Sequence, residues 1–249
     1  MLIQVDLSSI PQAKRIFPKN GHLKGFTMLE ILVAITIFAV VITTLFTSFN
    51  TVFSSADALE QSINFSEMAN DCLNRITLDL TSIHLALPPR YAPPGFDDPA
   101  DKFRLKGENV EVGSKTFSFL RFSSLAHIPL NRSARQGIAI IIYYITKDQD
   151  GCFIMKRSDE LYPYPDFEEK EDDPILCEYI KSFELVYFDD EDNATDYWDS
   201  ESDEFKYATP VSIGVKLELW LEPGLEPGDE SFSRIFETRV YLPVIREKI

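Results

Sequence analysis

Residues 25–50 read GFTMLEILVAITIFAVVITTLFTSFN, and this stretch decides the fold of the chain. Glu30 is the only charged residue from Phe26 to Ala56. As a helix, residues 26–49 would be about 36 Å long, which is enough to cross a hydrocarbon core of about 30 Å. A buried core helix would instead need a large protein around it, whereas the chain after residue 87 is rich in strand patterns. The stretch therefore predicts a transmembrane helix.

The charges on either side of this segment predict its orientation. Acidic residues follow it, and four basic residues precede it, namely Lys14, Arg15, Lys19 and Lys24. The positive-inside rule then places the N-terminus in the cytosol and the rest of the chain across the membrane. A secretory signal has a shorter apolar region with its cleavage site after it, whereas the candidate cut here lies before the apolar run. The sequence thus predicts a basic leader at residues 1–25 and a single-pass anchor.

Beyond residue 50 the helix pattern continues with one apolar face. Apolar residues recur at spacings of three and four with one larger step; they are Val52, Ala56, Leu59, Ile63, Ala69, Leu73, Ile76, Leu80 and Ile83. Pro88 and Pro89 would end the helix, because proline lacks the amide hydrogen that a helix needs. We therefore predict one helix from residue 26 to about residue 85, with a transmembrane half (26–49) and an amphipathic half (50–87).

The remainder, residues 88–249, reads as an antiparallel β-sheet head. Strand patterns lie at residues 116–122, 137–145, 152–157, 175–188, 211–221 and 232–242. The pattern at 211–221 is the clearest, because apolar residues alternate with Ser212, Lys216 and Glu218, as in a strand with one buried face. With the last strand it predicts a hairpin across the Pro/Gly-rich turn 222–228. The predicted fold class is α+β, a long N-terminal helix packed on antiparallel sheets.

The residues around the candidate cut resemble the processing site of type IV pilins and type II secretion pseudopilins. The resemblance rests on the basic leader, Gly25, the apolar Phe26, the carboxylate Glu30 and the apolar run that follows. In that family a prepilin peptidase cuts after the glycine and methylates the new amino terminus. The resemblance therefore implies cleavage between Gly25 and Phe26, N-methylation of Phe26, and a pilin-like fold.

Glu30 needs a cationic partner if it lies within the membrane. A carboxylate near one end of a transmembrane helix costs up to a few kcal/mol at mid-bilayer and less towards the interface. Cleavage would create a cationic amine on Phe26, and the resemblance implies that Glu30 engages this amine of a neighbouring subunit during assembly. The alternative is that Glu30 only extends its carboxylate to the headgroups.

Weaker similarities point to one class within the family. Segments that resemble J-type minor pseudopilins of type II secretion systems are LNRITLDL at 73–80, FSFLRF at 117–122, residues 137–145 and 180–189, Trp198 and residues 209–211. The resemblance implies a tip complex with the I- and K-type minor pseudopilins, which starts a fibre of the major pseudopilin. It also implies an inner-membrane anchor and a periplasmic head. The alternative is a minor type IV pilin of a surface pilus.

Charge and motifs argue against other classes of function. Residues 1–25 hold four basic residues and one acidic residue, so their removal takes the net charge from −16 to −19. Such a chain repels phosphate backbones, which argues against nucleic-acid binding. An enzyme is not predicted either, since His22, His84 and His127 are scattered and neither GxSxG nor HExxH occurs. No cofactor is predicted.

The three cysteines, Cys72, Cys152 and Cys177, form no zinc-type or CxxC pattern. In an oxidising compartment Cys152 and Cys177 could form a disulfide, and buried free thiols are the alternative.

The acidic segment 189–204 supplies weak calcium candidates in Asp189, Asp190 and Asp192. An EF-hand loop starting at Asp189 needs a glycine and a glutamate where Ala194 and Ser200 stand. We therefore assign no metal site, and a solvated acidic loop is the favoured interpretation.

Overall fold

The computed structural model describes residues 25–85, 90–95, 97–128, 136–220 and 233–249. The predicted leader up to residue 24, the two prolines at 88 and 89 and the predicted turn 222–228 lie outside these ranges. The described chain divides into two compact units, one ending at Ser55 and one beginning at Ala56.

The first unit is apolar helix. Helix α1 spans Met28–Thr81, and its stretch Met28–Ala56 has a mean hydropathy of 2.5, so it is long and apolar enough to cross a membrane. Thr27 caps the helix, because its Oγ1 accepts a hydrogen bond from the amide of Glu30 at 3.3 Å. The observed start lies two residues after the predicted one.

Hydroxyl groups inside this apolar stretch are satisfied by the helix itself. Each serine and threonine from residue 36 to residue 55 donates to a carbonyl three or four residues earlier, as Thr43 does to Ala39 at 2.7 Å. Lipid offers no hydrogen-bond partner, so these internal bonds make eight polar side chains compatible with a hydrocarbon environment.

The second unit contains the rest of α1 and two antiparallel sheets. The strands in the described residues are β1 Lys106–Val112, β2 Lys115–Ser124, β3 Ala139–Lys147, β4 Phe153–Leu161, β5 Ile175–Cys177, β6 Ile180–Phe188, β7 Ala194–Thr195, β8 Trp198–Asp199, β9 Ser212–Trp220 and β10 Ser233–Tyr241. The first sheet has the order β5-β4-β3-β2-β1-β8 and the second β10-β9-β6-β7. All pairings between these strands are antiparallel, and the predicted α+β fold is confirmed.

One face of α1 packs into the core that both sheets share. Its buried residues are Ala69, Cys72, Leu73, Ile76 and Leu80, and they continue the spacing of three and four. They meet Leu120 and Ile141 from the first sheet and Leu217 from the second in one cluster. Leu59 and Ile63 belong to the same pattern but are 63% and 48% exposed, so the sheets cover the apolar face only from about Ala69 onward.

The prediction of a single strand at residues 175–188 is wrong, because the structure has two strands there. Strand β5 belongs to the first sheet and β6 to the second. Between them Tyr179 has a φ of +58°, a left-handed conformation that turns the chain from one sheet to the other. Ser212 was also predicted to face away from the core, but it is buried and its Oγ accepts a hydrogen bond from Arg239 Nε at 2.8 Å. The polar strand β1 was not predicted, because its sequence KGENVEV has no apolar alternation.

Gly107 lies where β1 of the first sheet packs closely against Tyr187 of the second sheet. A Cβ on Gly107 of β1 would lie 1.8 Å from Tyr187 Oη, and Tyr187 of β6 is fully buried. We expect Gly107→Ala to destabilise the fold by about 1–3 kcal/mol, because the tyrosine ring has no free space into which it could move. Urea unfolding of the detergent-solubilised chain, followed by tryptophan fluorescence, measures this loss.

The matched control is Gly214→Ala in β9, where a Cβ would lie 3.3 Å from Phe188 Cε2. We expect a clearly smaller loss for this variant. Equal losses at the two glycines would contradict the inferred overlap with Tyr187.

Candidate functional site

The predicted cleavage site lies directly before helix α1. Gly25, Phe26 and Thr27 are not helical, and the helix begins at Met28. Among the described residues nothing lies within 4 Å of a Cβ built on Gly25, and Phe26 is 77% exposed. The bond between Gly25 and Phe26 is therefore accessible, and its backbone is free of helical hydrogen bonds that a peptidase would have to break.

Glu30 occupies the first turn of α1, where a carboxylate complements the helix dipole. It lies at a shallow apolar groove along the helix, which is lined by Phe26, Glu30, Ile31, Ala34, Ile35 and Phe38. The sequence has no lysine or arginine between Lys24 and Arg75. In a chain cut after Gly25, as predicted, the amine on Phe26 would be the nearest cationic group that this segment could supply to a carboxylate within the groove.

A second cluster, around Asp79 in the head, was missed by the sequence reasoning. Asp79 is fully buried, and its Oδ2 accepts hydrogen bonds from the Tyr143 hydroxyl and from Arg157 Nε at 2.6 Å. Arg75, one helical turn earlier, pairs with Oδ1. Ser124 Oγ donates to the Asp79 carbonyl at 2.9 Å. The cluster thereby joins the end of α1 to β2, β3 and β4.

The protonation of this cluster follows from its charges. Burial, then the charge of Asp79 and the hydrogen bond to it, raises the pKa of the Tyr143 hydroxyl well above its usual value. Burial alone would lower the pKa of the Arg157 guanidinium, but the hydrogen bond and charge of Asp79 outweigh it and raise the pKa. At neutral pH the tyrosine stays neutral and the arginine charged, so both donate to one carboxylate.

A signal for this cluster was present in the sequence. Asp79 lies three residues after Ile76 and seven after Cys72, so it shares the helix face that these buried residues occupy. The sequence reasoning had grouped it with the polar side chains between the apolar ones. A carboxylate on the apolar face of an amphipathic helix should have predicted a buried cationic partner.

The histidines are not brought together with a nucleophile in the described residues. His127 Nδ1 lies 2.6 Å from Asp159 Oδ1, and Asp159 also accepts from Arg157 at 2.6 Å. His84 packs its edge against Phe103, with ring centroids 5.1 Å apart. Burial, followed by the charge of Arg246, lowers the pKa of His84. His22 lies outside the described residues.

The carboxylates of the three calcium candidates contact different partners. Asp189 accepts from the amides of Glu191 and Asn193 within its own loop. Asp190 approaches Lys206 at 3.5 Å, and Asp192 pairs with Arg239. Within the described ranges no three His, Cys, Asp or Glu side chains come together to hold a metal ion. Each carboxylate is thus used in a separate contact of the loop.

The disulfide between Cys152 and Cys177 that was considered above is absent from the structure. All three cysteines are free thiols. Cys152 is half-buried in the turn before β4, with its amide on Asp148, whereas Cys177 is fully buried in the core. Cys72, on α1, belongs to the same buried core cluster as Cys177, and its Sγ lies 3.4 Å from Met155 Sδ.

Comparison with known proteins gives a match over the segment that contains the predicted cleavage site. Residues 23–46 match a family model described as the prokaryotic N-terminal methylation motif. No curated protein matches the chain. Proteins with this motif are structural subunits of the pilin type. The motif, the apolar helix that follows it and the antiparallel sheets together indicate a type IV pilin-like protein with a single-pass membrane anchor, for which a prepilin peptidase and other pilin-type subunits are the implied partners.

Proposed function

We propose that this chain is a minor pseudopilin of a type II secretion system, part of the tip complex that initiates the periplasmic pseudopilus. The observation that carries the proposal is the sequence from Gly25 to Glu30 at the start of a helix whose apolar stretch, Met28–Ala56, is 29 residues long. Its basic leader would stay in the cytosol, its helix in the inner membrane and its head in the periplasm.

The proposed assembly chemistry uses the two ends of one short segment. A prepilin peptidase cuts after Gly25 and methylates the amine of Phe26, which keeps its positive charge. Glu30 of one subunit then pairs with that amine on a neighbour. In hydrocarbon the attraction between the two charges is screened less than in water. Leaving either charge there without its partner is strongly unfavourable.

The minor, J-type assignment is supported by where the similar segments lie in the fold. The segment 73–80 ends α1 and carries Asp79, and the segment 117–122 lies within β2 and contributes Phe117 and Phe122 to the core. Trp198 is buried and donates to the Ala208 carbonyl at 3.3 Å. The similarities thus fall on residues that shape the head rather than on its exposed loops.

Glu30→Ala tests the assembly step. We expect the variant to insert into the membrane and to be cut normally, yet to be lost from the fibre, because the amine of its neighbour would have no counter-charge. Cross-linking in native membranes followed by immunoblotting measures its incorporation. Glu60→Ala, an exposed carboxylate on the same helix, is the matched control. Unchanged incorporation of Glu30→Ala would favour a carboxylate that only reaches the headgroups.

Deletion of the gene in its native host tests the function itself. We expect extracellular proteins to accumulate inside the cell envelope, and secretion to return when the wild-type chain is supplied but not when Glu30→Ala is supplied. Normal secretion with loss of surface fibres would instead show a minor type IV pilin.

A further inference from the structure

The turn after β6 carries a motif for covalent modification. Residues 191–195 read EDNAT, which contains the N-x-[ST] pattern for attachment of a glycan to the asparagine side chain. The form of this pattern that bacterial oligosaccharyltransferases accept has Asp or Glu two residues before the asparagine, and Glu191 stands at that position. The segment therefore predicts a modification of Asn193.

The same pattern occurs twice more in the chain, at Asn64 and Asn131, and neither copy has the acidic residue. Ser62 and Pro129 stand at the corresponding positions. Asn64 also lies within helix α1, where helical hydrogen bonds hold the backbone that a transferase would have to bind in another conformation. Asn131 lies outside the described ranges. Asn193 is thus the copy with both the complete motif and an observed place in a turn.

The geometry of the turn presents Asn193 to solvent. The residue is exposed and lies directly between β6, which ends at Phe188, and β7, which begins at Ala194. Its backbone amide donates to Asp189 Oδ1 at 2.8 Å, and its side-chain Nδ2 donates to Asp189 Oδ2 at 2.8 Å. An amide nitrogen has two N–H groups, and the described residues provide an acceptor for one of them. The second N–H is therefore available for a reaction.

We propose that Asn193 carries an N-linked glycan, transferred by a periplasmic oligosaccharyltransferase from a polyprenyl-diphosphate-linked oligosaccharide. In the transfer, Asn193 Nδ2 forms a bond to the anomeric carbon of the first sugar and loses one proton. The bond between that carbon and the diphosphate oxygen breaks, and the polyprenyl diphosphate leaves with the electron pair. The inference rests on the proposed function, because that function places the head in the periplasm.

The turn can hold the sugar without losing its own contacts. A glycosylated amide keeps one N–H, so donation to Asp189 Oδ2 can continue while the sugar extends into solvent. The hydroxyl of Thr195, which the motif requires, donates to the Tyr197 carbonyl at 2.9 Å in an exposed position. A glycan is bulky and solubilising, so it belongs on a free surface. The turn at residues 189–193 would then face solvent rather than a neighbouring subunit of the fibre.

The test uses the chain extracted from membranes of its native host. Trypsin releases residues 182–206 as one peptide, because no lysine or arginine lies between Lys181 and Lys206. We expect mass spectrometry to find this peptide with an oligosaccharide on Asn193. A glutamate-specific protease releases residues 61–67, in which Asn64 should be unmodified. A native chain in which Asn193 is unmodified would overturn the proposal.

A pair of variants at Thr195 separates the motif from other causes of modification. Thr195→Ala removes the hydroxyl and should lose the glycan, whereas Thr195→Ser keeps a hydroxyl and should retain it. Glu191→Gln should lower the modified fraction, because it removes the carboxylate two residues before the asparagine. A glycan that persists in Thr195→Ala, or that is lost in Thr195→Ser, would overturn the proposal.

Protease added to spheroplasts distinguishes a failure of this inference from a failure of the proposed function. A head that is digested lies outside the inner membrane, so an unmodified Asn193 in that sample overturns the glycan alone. A head that is digested only after the cells are lysed lies in the cytosol, and this result would overturn the glycan and the proposed function together.

Discussion

Replacing Gly25 by valine is expected to leave the chain uncut, with residues 1–25 still attached in the membrane fraction. In the structure this glycine is open to solvent and lies outside the helix, so valine meets no atom of the described chain. The effect must therefore arise in the peptidase, where a β-branched side chain beside the scissile bond displaces it from the reacting groups. Displacement of this kind reduces rates about a hundredfold or more.

Intact mass of the protein extracted from native membranes measures this outcome. The matched control is Gly21→Val, a glycine of the leader four positions before Gly25. It should be cut as the wild type is. A Gly25→Val chain that begins at Phe26 in normal yield would show that Gly25 is not the processing site.

Asp79→Ala is expected to destabilise the head by about 3–5 kcal/mol. The substitution leaves Arg157, which is 2% exposed, without its principal counter-charge, and it removes the acceptor of the Tyr143 hydroxyl. A buried cation that cannot be neutralised costs far more than a lost surface ion pair. Urea unfolding of the full chain in detergent, followed by the fluorescence of buried Trp198, gives the free energy.

Two further variants separate the charge from the side chain itself. Asp71→Ala removes an exposed carboxylate from the same helix and should change stability by no more than about 0.5 kcal/mol. Adding Arg157→Met to Asp79→Ala should cost less than the sum of the single losses, because the second change removes the buried cation that has lost Asp79 and keeps only Asp159 as a counter-charge. Additive losses would mean that the two side chains do not stabilise each other.

The parts of the fold that could be predicted are those with a regular period. Alternation along β9 and the spacing of three and four along α1 identify each element and its buried face, since Ile213, Val215, Leu217 and Leu219 are all buried. The break between β5 and β6 could not be predicted, because Tyr179 adopts a positive φ without the glycine that usually signals one. Tertiary packing of both sheets outweighs that local cost.

Of the two candidate sites, the one around Gly25 could be predicted from the sequence and the cluster around Asp79 could not. Gly25, Phe26 and Glu30 are neighbours in sequence, so their pattern is visible without a structure, and their roles in cleavage, methylation and assembly stay predictions. The contact between Asp79 and Arg157 joins residues 78 positions apart. Which pairs of distant residues meet is set by the order of strands in the two sheets, and no spacing along the chain encodes it.

The internally bonded hydroxyls of the apolar helix have a consequence for movement within a bundle. Each of these hydroxyls donates to a carbonyl of its own helix. The helix therefore loses none of these hydrogen bonds if it shifts along a neighbouring helix or rotates about its own axis. If the proposed pair between Glu30 and the Phe26 amine forms, the longitudinal offset between adjacent subunits would depend on that charged pair, since these hydroxyls add no preferred register.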